Sequence, residues 1–404
     1  MSSSRDADAG ADSVHSGDSS GGPADGADSR GFSEVRRLVV KVGTNVLVRD
    51  GRVDVDFVGD ICRQLVRVRE AGHEVLIVTS GAIGMGAVEL GVTHKLSSIR
   101  TRQACAALGQ PLLMEAYRDA FRENGVKVAQ VLVTREVFEN RTSYVNLRNA
   151  VEALLELGVV PIFNENDSVS TEEIGSAFGD NDRLSAFVAS KVDADLLCLL
   201  TDIDALYDDD PRHNPAAQPV RRVTEITDEI VASAGAAGSP LATGGMKTKI
   251  EAVKIARRGG CRVVLAYGRE TDVVLRVLAG EEVGTLFDAQ PRLGNRMRWI
   301  MNAEPKGRIL VDQGAFDAVH HRKSLLPKGL VGVEGNFEAG SVVELVCSGC
   351  AEEVVKLVTA LDSSDLRRVM GRHSSEVPAQ IGEGKKEIIA RPEDIVFLEE
   401  SVDT

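Results

Sequence analysis

The feature that most constrains this chain is a repeated unit: a short, mostly apolar run, then a glycine or polar turn, then an amphipathic helix-period segment. Arg37–Val42 is the first such run and leads into Gly43-Thr44-Asn45. A helical period follows over Val55–Ala71, which Gly72 closes as a C-cap. Glu74–Thr79 is the second apolar run and ends in Ser80-Gly81-Ala82. Further strands are predicted over Val126–Val133, Val159–Phe163, Leu196–Leu200 and Arg262–Ala266, and helices over Ile99–Asn124 and Ser143–Leu157. Strands with no polar face must be covered on both sides. The alternation therefore predicts an α/β class with a mostly parallel open sheet sandwiched by helices.

The pattern changes near Met301. Short strands such as Gly307–Val311 and Ser341–Val346 are separated by turn signals at Pro327-Lys328-Gly329 and Gly335-Asn336, predicting a small β-rich C-terminal barrel or sandwich. Residues 1–32 are Ser, Gly, Asp and Ala with almost no large apolar side chain, and read as a disordered N-terminal extension. The expected organisation is an extension over 1–32, an α/β domain over 33–300 and a β-rich domain over 305–397.

In such a sheet, ligands bind beyond the carboxyl ends of the strands, and there the unusual residues gather. Lys41 interrupts an apolar strand just before Gly43. It is either a snorkelling edge-strand lysine or a charge aimed at a phosphate that Gly43 lets approach. The strand at Phe163 runs into Asn164-Glu165-Asn166-Asp167, and the one at Leu200 into Thr201-Asp202. Thr243, Gly244, Gly245, Met246, Lys247, Thr248 and Lys249 precede a helical period that opens at Ile250. A glycine-rich loop opening a helix is an anion site. Lys249 opposes the helix dipole, a conflict that bound phosphate would remove. The Walker A order is absent here, so the loop does not read as a P-loop.

Gly179-Asp180-Asn181-Asp182 precedes an apolar helix. Asp180 reads as an N-cap or a functional group. Asp182 reads as an organiser of the lysines or a direct or water-mediated Mg²⁺ ligand. Asp167 and Asn181 suit an amino acid's ammonium and carboxylate. These groups describe phosphoryl transfer from ATP with Mg²⁺, with charge supplied by Lys41 and Lys249. The motifs contain no evident general base, which favours an acceptor already ionised at neutral pH, a carboxylate.

The net charge of −14 argues weakly against non-specific nucleic-acid binding. The six cysteines fall mostly in apolar runs and read as free thiols of a reducing compartment, with Cys347-Ser-Gly-Cys350 either a turn carrying two incidental thiols or, less in keeping with its single pair, a metal or redox site. With no secretory signal and no apolar run long enough for a bilayer, a soluble cytoplasmic protein is expected.

The runs Val39–Thr44, Val78–Ile83, Asn164–Asp167, Gly179–Asp182, Leu199–Asp202 with Leu206-Tyr207, and Thr243–Met246 with Thr248-Lys249 carry a resemblance that extends from about Arg37 to Phe397. The chain resembles the bacterial glutamate 5-kinases, a branch of the amino-acid kinase superfamily with a C-terminal PUA domain. The resemblance implies an amino-acid kinase fold with ATP held by Lys41, Thr201, Asp202 and Thr243–Lys249. It implies glutamate held by Ser80, Asp167 and Asn181, and Asp182 as organiser of Lys41 and Lys249. The catalytic set would be Lys41, Asp182 and Lys249, with no protein metal site assigned. The product would be γ-glutamyl phosphate, the first step of proline biosynthesis.

The resemblance further implies proline as a feedback inhibitor, glutamyl phosphate reductase as a pathway partner, and a homo-oligomer. Two departures stand out. Glu173–Phe178 lacks the basic residue many relatives carry before this motif, and Ala205 replaces a usual glycine. A sister kinase acting on aspartate, carbamate, acetylglutamate or a nucleotide is the competing reading. An RNA-binding protein working through its PUA module is another, weakened by Glu352-Glu353 and Glu399-Glu400 in an acidic tail.

Overall fold

Arg37–Val42 forms β1, and all six of its residues are buried. It is the middle of the main sheet, not an edge, so Lys41 cannot reach water by snorkelling over a rim. The computed structural model describes residues 30, 32–49, 52–92, 96, 98–169, 181–231, 245–292, 294–347, 354–382 and 387–398.

The other strands of this sheet are β2 (Glu74–Val78), β3 (Val128–Val133), β4 (Val160–Glu165), β5 (Leu196–Thr201), β6 (Arg222–Val223), β7 (Arg262–Tyr267) and β8 (Thr285–Phe287). Their order is β6-β8-β7-β5-β1-β2-β4-β3. β1 pairs in parallel with both β2 and β5, and β4, β3 and β7 continue in that sense. Only β8 and its parallel neighbour β6 run the other way. The apolar pattern does not announce these two strands, which have three and two residues.

Successive side chains of a strand face opposite sides, and the two faces of β1 enter different cores. Leu38, Val40 and Val42 pack with α2 (Val55–Glu70), α4 (Ile99–Arg122) and α9 (Val273–Leu278). Val39 packs on the other side with α6 (Arg141–Glu156), α7 (Asn181–Lys191) and α8 (Met246–Arg258). The intervening helices are α1 (Thr44–Leu47), α3 (Ala82–Glu89) and α5 (Arg135–Glu139). Lys41 shares the parity of Val39, so it projects toward α7 and α8.

Local chemistry sets the helix ends. Asp54 caps α2 by accepting from the Phe57 N–H at 3.2 Å, and Gly72, at φ +96°, turns the chain away after Ala71. α3 and α4 meet backbone to backbone. A Cβ on Gly86 would fall 1.8 Å from the Cys105 carbonyl oxygen, and one on Gly109 would fall 1.9 Å from that of Ala82.

The C-terminal strands β9 (Arg308–Val311), β10 (Leu330–Glu334), β11 (Val342–Cys347), β12 (Val354–Val358) and β13 (Ile395–Leu398) form a second sheet in the order β10-β9-β11-β12-β13. One face packs on α11 (Gln313–His320) and α12 (Ser363–Val369). The other meets α10 (Asn295–Asn302), whose Trp299, Ile300 and Met301 cluster with Val342, Val358 and Val396. Trp299 also donates from its indole N–H to the Glu139 carbonyl at 3.2 Å, tying this sheet to the end of α5.

Three expectations change. Arg30 and Phe32 fall in the stretch expected to be disordered, yet both are buried: Arg30 donates to the Val283 carbonyl at 2.9 Å, and Phe32 lies under the Arg262 guanidinium. Residues 1–29 lie outside the described residues. Cys62, Cys105, Cys198 and Cys261 are buried free thiols, whereas Cys347 is disulfide-bonded, not free. Met246–Lys249 are already helical, with Gly245 as the N-cap, so α8 opens a turn earlier than its apolar period. Among the described residues, no helix is long and apolar enough to cross a membrane.

Candidate functional site

Three charged side chains meet beyond the carboxyl end of β1. Lys41 comes from the strand, Asp182 from the first turn of α7 and Lys249 from the first turn of α8. They are 3%, 0% and 5% exposed. Lys249 Nζ donates to Asp182 Oδ2 at 2.9 Å, and Lys41 Nζ contacts Asp182 Oδ1. An ammonium group is buried this deeply only with a partner. Here one carboxylate serves two, so the cluster carries one net positive charge just past the strand.

Gly43 lies two residues past Lys41 and is the N-cap of α1. Its N–H donates to the Leu200 carbonyl at 3.1 Å, and a Cβ there would sit 3.2 Å from that oxygen and 3.5 Å from Lys41 Nζ. The small residue keeps the turn tight and leaves the ammonium uncovered by a neighbouring side chain.

The adjacent strand β5 ends in Thr201 and Asp202. Asp202 Oδ1 accepts from the Thr201 hydroxyl at 2.9 Å and Oδ2 from the Asn45 amide at 2.7 Å. Burial works to raise the Asp202 carboxyl, but these hydrogen bonds and the Lys249 charge hold it below the ordinary carboxylate range. The expected anion loop is only partly in the described set, since Thr243 and Gly244 lie outside it. Of the rest, Met246 is buried in the core, Lys247 is exposed, and the Thr248 hydroxyl donates to the Gly245 carbonyl at 2.8 Å. Lys249 alone turns toward Asp182.

On the other side of β1, Asn181 joins three strand-end groups. Its amide donates to Asn164 Oδ1 at 2.8 Å, to the Ser80 hydroxyl at 3.2 Å and to the Thr79 carbonyl. Asn164 in turn donates to Gln110 Oε1 at 2.7 Å, and Gln110 to Gln130 Oε1 at 3.1 Å. Gly81, at φ +96°, makes the turn from Ser80 into α3. Beside this relay lies a pocket of about 250 Å³ lined by Gln110, Gln130, Glu165 and Asp167, with Ala82 and Ala106 as apolar wall. Burial pushes the Asp167 carboxyl up to about 6, against a downward pull from Arg102.

Two clusters thus flank the end of β1: a cationic one with Asp202 nearby, and a neutral relay leading to an acidic pocket. Asn181 and Asp182 are consecutive and serve one each. Gln110 and Asn45 had no distinguishing signal in the sequence. Gln110 is one of several polar positions along amphipathic α4, and Asn45 follows a glycine turn in which asparagine is unremarkable. Asp180 and Glu173–Phe178 lie outside the described residues.

Both oxygens of Asp182 face ammonium groups, which leaves that carboxylate poorly suited to hold a cation. Each oxygen of Asp202 accepts one hydrogen bond and keeps a lone pair. Among the described residues of this cluster, Asp202 is therefore the side chain that would hold a divalent cation, directly or through water, together with oxygens of a bound phosphate chain.

The sequence model of the amino acid kinase family matches residues 36–267, and that of the PUA domain matches residues 307–381. A protein named glutamate 5-kinase from Methanosarcina barkeri is 43% identical over 377 residues, covering 91% of this chain and 98% of its own length. Another of that name, from Thermus thermophilus, is 42% identical over 368 residues, again 91% of this chain and 98% of its own. A UMP kinase from Bacillus anthracis is 18% identical, with a TM-score of 0.45 over 64% of this chain and 98% of that one.

Proposed function

The chain belongs to the amino acid kinase family, and we propose that it transfers the γ-phosphoryl group of ATP to the γ-carboxylate of L-glutamate. The product is γ-glutamyl phosphate, the first step of proline biosynthesis. The observation that carries this reading is the junction of Lys41, Asp182 and Lys249 beside the Asn181 relay: a phosphate-balancing cluster next to an amino-acid-sized polar pocket.

In this reading the nucleotide lies over β5 and α8, with its terminal phosphates toward Lys41 and Lys249. Thr201, Asp202 and the segment Thr243–Lys249 line that side. Glutamate lies over β2 and β4. Its ammonium faces Asp167, and its γ-carboxylate reaches past Ser80 and Asn181 toward the cationic cluster. A γ-carboxylate oxygen forms the new bond to the γ-phosphorus as the bond to the β,γ-bridging oxygen breaks, and ADP departs. The acceptor is already ionised, so no residue has to remove a proton. The lysines offset negative charge on the transferring oxygens, and Asp182 fixes both ammonium groups before the substrates arrive. Mg²⁺ carried by ATP would neutralise part of the phosphate charge, with Asp202 the nearby carboxylate that would help hold it.

Residues 33–300 are the catalytic domain and 305–397 the PUA-like domain. Proline inhibits by competing at or near the glutamate pocket, the protein works in the cytoplasm as a homo-oligomer, and a reductase consumes its product. Incubation with ATP, Mg²⁺, glutamate and hydroxylamine tests the core claim, with γ-glutamyl hydroxamate expected. ADP release with another acceptor and no hydroxamate from glutamate would overturn it.

A further inference from the structure

The acidic pocket poses a charge problem for the acceptor just assigned. Among the described residues its lining side chains include the carboxylates of Glu165 and Asp167 and no cationic group. Free glutamate brings two carboxylates and one ammonium. The ammonium suits Asp167, and the γ-carboxylate must reach the lysines. The α-carboxylate would then rest among like charges, which is unfavourable without a cation nearby.

The wall of the pocket points to where a cation stands. Ala106, Ala107, Gln110 and Pro111 of α4 line it. Arg102 lies four residues before Ala106, on the same face of the helix. It is half-buried, and its guanidinium has no hydrogen-bond or ion-pair partner among the described residues; only its backbone N–H is engaged, with the Ser98 carbonyl at 3.0 Å. Its charge nonetheless reaches Asp167, where it offsets part of the effect of burial. A guanidinium held near a carboxylate without pairing to it leaves its donors available to a second carboxylate between the two. Guanidinium groups bind such an acceptor in fork geometry.

We propose that Arg102 is a specificity-determining residue of the acceptor site, pairing with the α-carboxylate of the amino acid while Asp167 takes its ammonium. The proposal rests on the glutamate reading above. It adds a discrimination: the site selects a free α-amino acid over the same side chain attached to a neutral backbone.

The test compares glutamate with its α-amide, in which a neutral carboxamide replaces only the α-carboxylate. Wild-type protein, Arg102→Gln and Arg102→Lys are assayed for hydroxamate with each acceptor, and thermal unfolding checks each fold. Wild type should prefer glutamate strongly. Arg102→Gln should raise the glutamate KM by roughly 10- to 100-fold, the range for losing a hydrogen bond between charged partners. Its kcat and its KM for ATP should change by less than about threefold. Its preference for glutamate over the amide should collapse, and Arg102→Lys should restore part of it. An unchanged glutamate KM in Arg102→Gln, or an equal loss with both acceptors, overturns the proposal. If Arg102→Gln does not fold, Arg102→Lys decides, because a lysine variant with undiminished preference and KM would equally refute a fork-shaped pairing. A wild-type protein silent toward glutamate would instead overturn the activity reading, and this inference with it.

Discussion

Lys249 Nζ donates to Asp182 Oδ2 at 2.9 Å although 67 positions separate them in the chain. The contact joins the first turns of α7 and α8, and the other oxygen of Asp182 takes Lys41. One carboxylate therefore fixes two ammonium groups that came from different parts of the sequence.

Removing one of these charges should act on the chemical step. Lys249→Ala is expected to lower kcat by about 10²- to 10³-fold, the scale for losing one preorganised donor to transition-state charge. KM for glutamate should stay within about threefold. Steady-state hydroxamate kinetics check this, and a selective rise in KM would place Lys249 in ground-state binding instead.

Removing the shared partner should act on the fold as well. Asp182→Asn removes the carboxylate that two buried ammonium groups share. Breaking a buried pair costs about 3–5 kcal/mol. Urea unfolding should show a lower midpoint with an unchanged m-value, and ATP should raise the melting temperature more in the variant than in wild type. An unaltered midpoint would mean that water or rearrangement already compensates the charges.

Asp167 gives a pH dependence. Burial raises its carboxyl from 3.8 to about 6. The folded state thus favours the protonated form, and the associated stability is fully present below the ordinary carboxylate range and lost as pH rises through about 6. Binding an ammonium needs the opposite form. The glutamate KM should therefore climb by up to about tenfold per pH unit as pH falls below 6. Asp167→Asn should have a high KM at neutral pH and lack that inflection. A wild-type KM flat from pH 5 to pH 8, judged against roughly that slope, would remove the ionised carboxylate from ammonium binding.

The α3–α4 contact is a structural lever on the acceptor side. In Gly109→Ala the new methyl would meet the Ala82 carbonyl oxygen, which belongs to rigid backbone. The helices must separate, at a cost of about 1–3 kcal/mol or more. Because α3 begins beside Ser80, the variant should show both a lower melting temperature and a raised glutamate KM, with KM for ATP changed much less.

Trp299 bridges the two sheets through its packing and its bond to the Glu139 carbonyl. Trp299→Ala should destabilise by about 3–5 kcal/mol. Calorimetry should then resolve the two units as separate transitions, while wild type melts in one. A single, unshifted transition would show that the ion pairs Arg135–Glu304 and Lys306–Glu139 suffice to couple them.

How much of this was legible in advance depends on the range of the cause. Apolar runs and helix periods are local, so β1, β2, α2 and α4 follow from neighbours in the chain to within a residue or two. The strand-end motifs were visible for the same reason: glycines, asparagines and charges interrupt otherwise apolar segments. The sequence also singled out Lys41 as an ammonium within an apolar strand, either snorkelling from an edge or aimed at a phosphate. Only the tertiary structure decided between these, because it sets β1 in the middle of the sheet and brings Asp182, already named from its motif, against both Lys41 and Lys249. Strand order puts β5 and β2 on either side of β1, and strand parity aims Lys41 at α7 and α8. The roles of Gln110, Asn45 and Arg102 belong to the same class. Each depends on what crosses over from another strand or helix, and no periodicity within a segment encodes a neighbour that the sheet brings from far along the chain.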